Sequence, residues 1–254
     1  MTERLYVLLP PSKAKSTGGR RVAARGVFDA ELATPRRHVL DALDALFTRA
    51  APKEMESALS ARGELLDRAV AATAEIARSS APVAPAWRRY TGVVWTHVAP
   101  DTLSPALRRR ILVPSGLYGL LAGEDPIGDY RLAMNASLPP LGVLARFWRP
   151  FVTRAIDHKV GHATIVNLLP NEYAASIELA SLRAGRHVIN VRFVTHDERN
   201  AVGHDAKAVK GALARRVLEV GADALEQFSW QGWRSRREGD EVFVTAPLGP
   251  RRWA

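Results

Sequence analysis

Polar side chains that can bind an anion or move a proton follow three short apolar runs of the chain. The runs cover residues 5–9, 111–113 and 164–169, and each is rich in the β-prone apolar residues of a buried strand. The polar residues that follow them are Ser12, Lys13 and Lys15, then Ser115 and Tyr118, then Asn171 and Glu172. Because α/β proteins often bind ligands at the carboxyl ends of their strands, these clusters predict one polar site at a sheet edge.

Two further segments carry groups for the same site. Tyr130 and Arg131 follow an acidic loop beyond the second run. His204, or Asp205 after it, opens a predicted helix over residues 204–220. In chemical terms Glu172 or His204 suits a general acid or base, and Arg131 suits an anion clamp.

The helix over residues 204–220 carries two lysines and an unusual glycine. Lys207 and Lys210 lie about 60° apart on the helical wheel, just outside the apolar stripe, and Lys207 is a second candidate anion clamp. Gly211 lies inside the helix, where it costs ~1 kcal/mol relative to alanine. Close approach of a backbone or a ligand explains that glycine, and so does the packing of small residues.

Each polar cluster also has an ordinary structural explanation. The segment 12–21 suits a solvated basic loop, and 115–119 suits a packed turn with capping residues. The segment 87–90, in which two arginines lie between Trp87 and Tyr90, suits a base-stacking or phosphate-binding patch, or equally the rim of an aromatic core.

The elements that must position these groups indicate a mixed α/β fold. Residues 35–80 read as a helical insertion, whose first helix is predicted over 34–49 with Thr34 as N-cap and Pro35 at the first helical position. Two more helices over 54–59 and 65–78 form a plain αα-hairpin or a helix–hairpin–helix; Gly63 alone occupies the turn, which favours the plain hairpin. Near the C-terminus, 242–244 is predicted as an edge strand after a turn at 239–240.

Composition limits the function classes. There are 36 Lys and Arg against 26 Asp and Glu, a formal net charge of +10 and a pI near 10.5. This charge favours a polyanionic partner, although a composition rich in Arg and Ala raises the pI without creating a binding face. The absence of cysteine excludes disulfides, Cys-ligated metals and thiol nucleophiles. With no signal peptide and no apolar stretch near ~20 residues, we expect a cytoplasmic protein without membrane contact.

Six motifs, taken in order, resemble those of the YaaA peroxide-stress protein family, in its actinobacterial type. The motifs are Leu8–Lys15, Tyr90–Trp95, Ser115–Gly119, Tyr130–Leu132, Val166–Leu168 with Asn171–Tyr173, and His204–Gly211. They extend over most of the chain. Each motif alone is weak, and the ordered set is specific.

The resemblance implies a fold and a function. It implies one compact α/β (mixed α+β) domain over 1–254, a mixed sheet wrapped by helices, with a helix–hairpin–helix-like element near 54–78. Members are similar to proteins that bind double-stranded DNA and limit oxidative damage under hydrogen peroxide. The basic cleft would involve Lys13, Lys15, Arg131, Lys207 and Lys210. Lys13 stands where many relatives have Glu, and Trp95 stands where Tyr is usual.

Two function hypotheses follow. The first is binding of duplex DNA through the basic cleft with little sequence preference, by a monomer without cofactor or metal. The second is an enzyme acting on a nucleotide or nucleobase-like molecule in a pocket where the strand ends converge. The residues expected in that pocket are Ser12, Lys13, Ser115, Tyr118, Tyr130, Arg131, Asn171, Glu172, His204 and Lys207.

Overall fold

An eight-stranded mixed sheet lies at the centre of the structure, a computed structural model that describes residues 4–22 and 25–248. Its strands are β1 (Leu5–Leu8), β3 (Ile111–Ser115), β4 (Gly119–Ala122), β8 (Thr164–Asn167), β9 (Val188–Val194), β10 (Ser229–Trp230), β11 (Trp233–Glu238) and β12 (Glu241–Thr245). Two antiparallel pairs lie outside it: β2 (Ala84–Pro85) with β5 (Pro126–Ile127), and β6 (Ser137–Leu138) with β7 (Gly142–Val143).

Helices connect and cover these strands. They are α1 (Asp29–Arg49), α2 (Pro52–Leu59), α3 (Glu64–Ala77), α4 (Ala86–Arg89), α5 (Val93–Val98), α6 (Pro105–Arg108), α7 (Leu144–Val160), α8 (Asn171–Ala174), α9 (Leu179–Arg183) and α10 (His204–Val220). Short 3-10 helices cover Pro100–Thr102 and Ala222–Leu225. The predicted mixed α/β class is confirmed.

The strand order places the three predicted polar clusters side by side. The order is β10-β11-β12-β9-β8-β1-β3-β4, and the five strands from β12 to β3 run parallel. Leu8, near the end of β1, lies opposite Leu112 of β3 on one side and Asn167 of β8 on the other. The chain leaves β1 toward β3 first and reaches β8 on the other side later, which makes the β1–β8 boundary a topological switch point.

The close packing of α10 on α5 accounts for the glycine inside α10. A Cβ at Gly211 would collide with the carbonyl oxygen of Val94, and would also crowd the side chain of His97. Of the two explanations open from the sequence, close approach of a backbone is therefore the one that the structure supports.

The predicted start of the first helix is wrong. α1 begins at Asp29, so that Pro35 lies inside the helix. The buried stripe of α1 already starts at Leu32 and continues through Pro35 and Val39. Burial of Leu32, which is 1% exposed, offsets the hydrogen bond that Pro35 cannot donate.

The predicted edge strand is also wrong in its position. β12 pairs with β9 on one side and β11 on the other, and β10 forms the edge. The turn before β12 is confirmed, with Gly239 at φ 62° between β11 and β12. The alternating burial of β12, with Val242 and Val244 inside, fits an inner strand as well as an edge strand.

Candidate functional site

Three buried hydroxyl groups form a hydrogen-bonded chain that begins at Ser115, the last residue of β3. Ser115 Oγ donates to the Tyr130 hydroxyl at 2.8 Å, and the hydroxyls of Tyr130 and Tyr90 are 2.8 Å apart. The backbone N–H of Tyr118 donates to Ser115 Oγ at 3.1 Å, which fixes the orientation of that serine. Ser115, Tyr90 and Tyr130 are between 0% and 3% exposed, so bulk water does not compete for these bonds.

These three hydroxyl groups carry one more proton than the hydrogen bonds between them use. The Ser115 proton goes to Tyr130, and the bond between Tyr130 and Tyr90 uses one of the two phenolic protons. The other phenolic proton has no acceptor among the residues that the structure describes. Because a buried donor without an acceptor costs about 1–3 kcal/mol, this proton points to an acceptor supplied from outside the chain.

These tyrosines act as neutral donors. Burial raises the pKa of Tyr130 to about 12, against the opposing hydrogen bonds from Ser115 and Tyr90. Burial also raises the pKa of Tyr90, of Tyr118 and of Tyr173. At neutral pH each phenol therefore keeps its proton.

Lys15 lies directly against this chain. Its Nζ donates to the carbonyl oxygen of Ser12 at 2.8 Å and lies 4.2 Å from the ring centroid of Tyr130. Burial lowers the pKa of Lys15 to about 7; Asp129 opposes this shift and Arg131 adds to it. A large part of the Lys15 side chains is therefore uncharged at neutral pH.

A cavity of about 250 Å³ opens beside Lys15 and Tyr130. Its polar lining also includes Lys13, Arg68, Asp129 and Arg131, and its apolar lining comes from α3. The carboxylate of Asp129 is paired with Arg68. The cavity thus combines a phenol, an amine and several cations, a set that suits an anionic ligand with an acceptor oxygen.

Arg131 connects this cavity to the hairpin of α2 and α3. Its Nε donates to the carbonyl oxygens of Leu59 and Ser60, each at 3.1 Å, and its Nη2 donates to Ser60 at 2.9 Å. These bonds hold the end of α2 over the segment that carries Tyr130. Among the described residues Nη1 has no hydrogen-bond partner, so it is available to an anion.

Two lysines form a second group on α10. Lys207 is exposed, while Lys210 places its Nζ 5.1 Å from the ring centroid of Phe193 on β9. Burial, assisted by the charge of Lys207, lowers the pKa of Lys210 to about 8. No hydrogen bond or ring contact within the described part of the chain joins these lysines to the Tyr130 cluster.

The other predicted residues lie at the openings of helices and loops. Asn171 and Glu172 are exposed at the start of α8, and His204 is exposed at the start of α10. Ser12 is half-buried after β1, and its hydroxyl lies against Gly92. The buried member of the α8 cluster is Tyr173, whose pKa is raised further by its neighbours Tyr130 and Glu172.

Comparison with known proteins assigns the family. A family model described as peroxide stress protein YaaA matches residues 5–238. The chain belongs to the YaaA peroxide-stress family. A UPF0246 protein of Streptomyces coelicolor is 31% identical over 98% of this chain and 96% of its own length. One from Corynebacterium efficiens is 30% identical over 83% and 84%, and one from Ruegeria is 35% identical over 57% and 62%.

The sequence predicted Arg89 in a base-stacking or phosphate-binding patch or at the rim of an aromatic core, and both environments are wrong. Arg89 is fully buried and donates to the carbonyl oxygens of Ser16, Gly18, Pro82 and Ile127. It therefore fastens the basic loop after β1 and takes no part in an exposed patch. Two adjacent arginines in sequence give no signal for which one is buried.

Trp87, the other end of that predicted patch, is also held within the chain. Its indole N–H donates to Glu124 at 3.2 Å, and the Arg108 guanidinium lies 4.5 Å from its ring.

Arg68 and Asp129 are site residues that the sequence did not single out, and Tyr90 was named only as part of the possible patch at 87–90 and of a family motif. Tyr90 follows α4, and its backbone forms an isolated antiparallel bridge with Lys15. The available signal was its place in the Tyr90–Trp95 motif. Within residues 4–22 and 25–248, no group of three His, Cys, Asp or Glu residues is arranged to hold a metal ion. The helices of the same ranges are each too short or too polar to cross a membrane.

Proposed function

We propose that this YaaA-family protein binds duplex DNA in the cytoplasm through a basic cleft along the carboxyl edge of its sheet, as a monomer with little sequence preference. The observation that carries the proposal is that five basic residues lack a carboxylate partner: Lys13, Lys15, Arg131, Lys207 and Lys210. None of the five forms an ion pair with a carboxylate of the described residues, although many other arginines do. Unpaired cations attract phosphates at no cost in broken ion pairs.

The spacing of these cations suits an extended anion. One group follows β1 and β4, and the other is on α10, which follows β9 in the chain. From β1 to β9 there are two strand spacings of ~4.8 Å, or roughly 10 Å across the edge. A single phosphate cannot span that distance, whereas a nucleic-acid backbone can.

The turn between α2 and α3 contributes less to this proposal than the strand ends. The first turn of α3 carries Glu64 and Asp67, which repel a phosphate approaching its N-terminus. The amides of Ser60 and Ala61 already donate to carbonyl oxygens of α2. We therefore assign the phosphate contacts to the strand-end cations, and we give the hairpin the role of covering the cavity.

The family's description names peroxide stress, and we propose that DNA binding limits oxidative damage. The chain contains no cysteine, so the protection would not use a thiol of this protein.

Salt dependence and charge removal test DNA binding. With about five phosphate contacts, the log–log slope of affinity against salt should be near −4.5. Removing two contacts in Lys207→Ala with Lys210→Ala should weaken binding about 60-fold at 0.1 M salt and reduce the slope by about 2. Fluorescence anisotropy with labelled duplexes of two unrelated sequences measures both quantities.

The control removes the same charge elsewhere. Arg154 and Lys159 lie on α7, which leads into the amino end of β8, and neither forms an ion pair with a described carboxylate. Arg154→Ala with Lys159→Ala should reduce the affinity far less. Equal losses in the two double variants, or binding that does not change between about 0.05 and 0.3 M salt, would show that this cleft is not the DNA site.

A second candidate function is catalysis on a nucleotide or nucleobase-like molecule, which the cavity beside Lys15 and Tyr130 favours. Calorimetry with adenosine monophosphate tests it. We expect saturable binding by the wild-type chain that Tyr130→Phe weakens, because Tyr130 lines the cavity and the variant removes its hydroxyl group. Absence of binding by the wild-type chain would remove this candidate while leaving DNA binding in place.

A further inference from the structure

The cavity beside α3 brings together an amine, a phenol with a proton to spare and cationic side chains. We propose that the Lys15 amine is a nucleophile that condenses with the carbonyl group of a small anionic aldehyde or ketone to form an imine. This inference rests on the second candidate function, chemistry in the cavity.

The position of Lys15 leaves its nitrogen able to react. One N–H is used by the carbonyl oxygen of Ser12 at 2.8 Å. No donor among the described residues bonds to Nζ, so the lone pair of the neutral amine is not engaged. Because Lys15 lines the cavity, a ligand inside it can reach this nitrogen.

The charges around Lys15 decide how much of the amine is neutral. Burial is the largest influence on its pKa, Arg131 and Arg89 lower that pKa further, and Asp129 raises it. Asp129 also pairs with Arg68, and this pairing reduces the stabilisation that Asp129 gives to the protonated Lys15 amine. With a pKa of about 7, half of the amine is neutral at pH 7. An exposed lysine is neutral to roughly one part in 10³ at that pH.

The condensation balances without another reactant. The Nζ lone pair forms the new C–N bond, and the carbonyl π pair moves to the oxygen. The spare phenolic proton of the Tyr130–Tyr90 pair can protonate that oxygen. One amine proton then joins the oxygen, which leaves as water, and the other amine proton restores the phenol.

The cationic lining selects the substrate class. Lys13 is exposed at the mouth, and Arg131 keeps Nη1 free among the described residues. Both favour a carboxylate or phosphate on the molecule that carries the carbonyl group. A cavity of about 250 Å³ limits that molecule to a small one.

Reductive trapping of glyoxylate tests the proposal. Glyoxylate, a small anionic aldehyde, is incubated with the full chain at pH 7 with cyanoborohydride, and each lysine is followed by peptide mass spectrometry. The chain has six lysines, and the exposed Lys13 serves as internal control. Lys15 should be modified about 30-fold faster than Lys13, since its larger neutral fraction outweighs its weaker nucleophilicity. Equal rates would overturn the proposal.

The pH profile gives a second measurement that needs no variant. The rate at Lys15 should rise with a midpoint near pH 7, and a midpoint above pH 9 would overturn the proposal. Tyr130→Phe should slow trapping at Lys15 about tenfold or more without moving that midpoint. An unchanged rate would remove the role given to the phenol. DNA affinity and nucleotide binding are measured without glyoxylate, so failure of imine formation is distinguishable from failure of either proposed function.

Discussion

Replacing Tyr130 by phenylalanine should destabilise the protein more than the same change at Tyr90. Tyr130→Phe removes two hydrogen bonds and leaves Ser115 Oγ and the Tyr90 hydroxyl buried without their partner. Two bonds at about 1 kcal/mol each, together with the penalty for stranded donors, give a loss of about 3–4 kcal/mol. Tyr90→Phe removes one bond and preserves the bond from Ser115 to Tyr130, so we expect a loss of about 1 kcal/mol.

Urea denaturation of the two variants and of Tyr6→Phe measures this difference. Tyr6 is 3% exposed, like Tyr130, but its hydroxyl has no partner among the described residues. Tyr6→Phe should therefore change the free energy of unfolding by no more than about 0.5 kcal/mol. In thermal melts Tyr130→Phe should lower the Tm by about 10 °C. A Tyr130→Phe loss equal to or below that of Tyr90→Phe would refute the hydrogen-bond chain as described.

Two more outcomes depend on single buried positions. Gly211→Ala should destabilise the protein by about 2 kcal/mol or more in urea denaturation, because its Cβ would collide with Val94. Gly185→Ala is the control, since its Cβ meets no atom within 4 Å. A Gly211→Ala variant more stable than the wild-type protein would contradict the packing of α10 on α5. The free energy of unfolding should also rise by about 1–2 kcal/mol between pH 7 and 9, because unfolded Lys15 keeps its proton up to about pH 10 while the folded amine, with a pKa of about 7, loses it. Lys15→Met should remove this rise and Lys13→Met should retain it; a rise that survives in Lys15→Met would assign it to other groups.

The strands were predictable because burial on both faces leaves a strong local signal. Residues 5–9 are an uninterrupted apolar run, and residues 164–169 are apolar apart from Thr164 and Asn167; parallel inner strands are typically near-continuous runs of this kind. The helix starting at Asp29 was not predictable in the same way. Thr34 and Pro35 form a strong local start signal, and only the tertiary burial of Leu32 overrides it.

Which residue types make up the site was predictable, but their environment was not. Lys15 and Arg131 were predicted as cations of a basic cleft. The structure instead buries Lys15, which lowers its pKa to about 7, and commits two nitrogens of Arg131 to carbonyl oxygens. Desolvation depends on α3 and Tyr130 closing over Lys15, and no spacing within residues 12–15 encodes that contact.

The buried hydroxyl chain bears on which chemistry the edge of the sheet serves. Phosphate binding needs exposed cations such as Lys13 and Lys207, and it gains nothing from a fully buried chain of Ser115, Tyr130 and Tyr90. Keeping a buried phenolic proton without an internal acceptor costs stability. Its presence beside Lys15, whose pKa burial lowers to about 7, therefore argues that the cavity has its own ligand. On this reasoning the two hypotheses describe two neighbouring parts of one edge: an exposed cationic surface for a polyanion, and a partly open polar cavity for a small molecule.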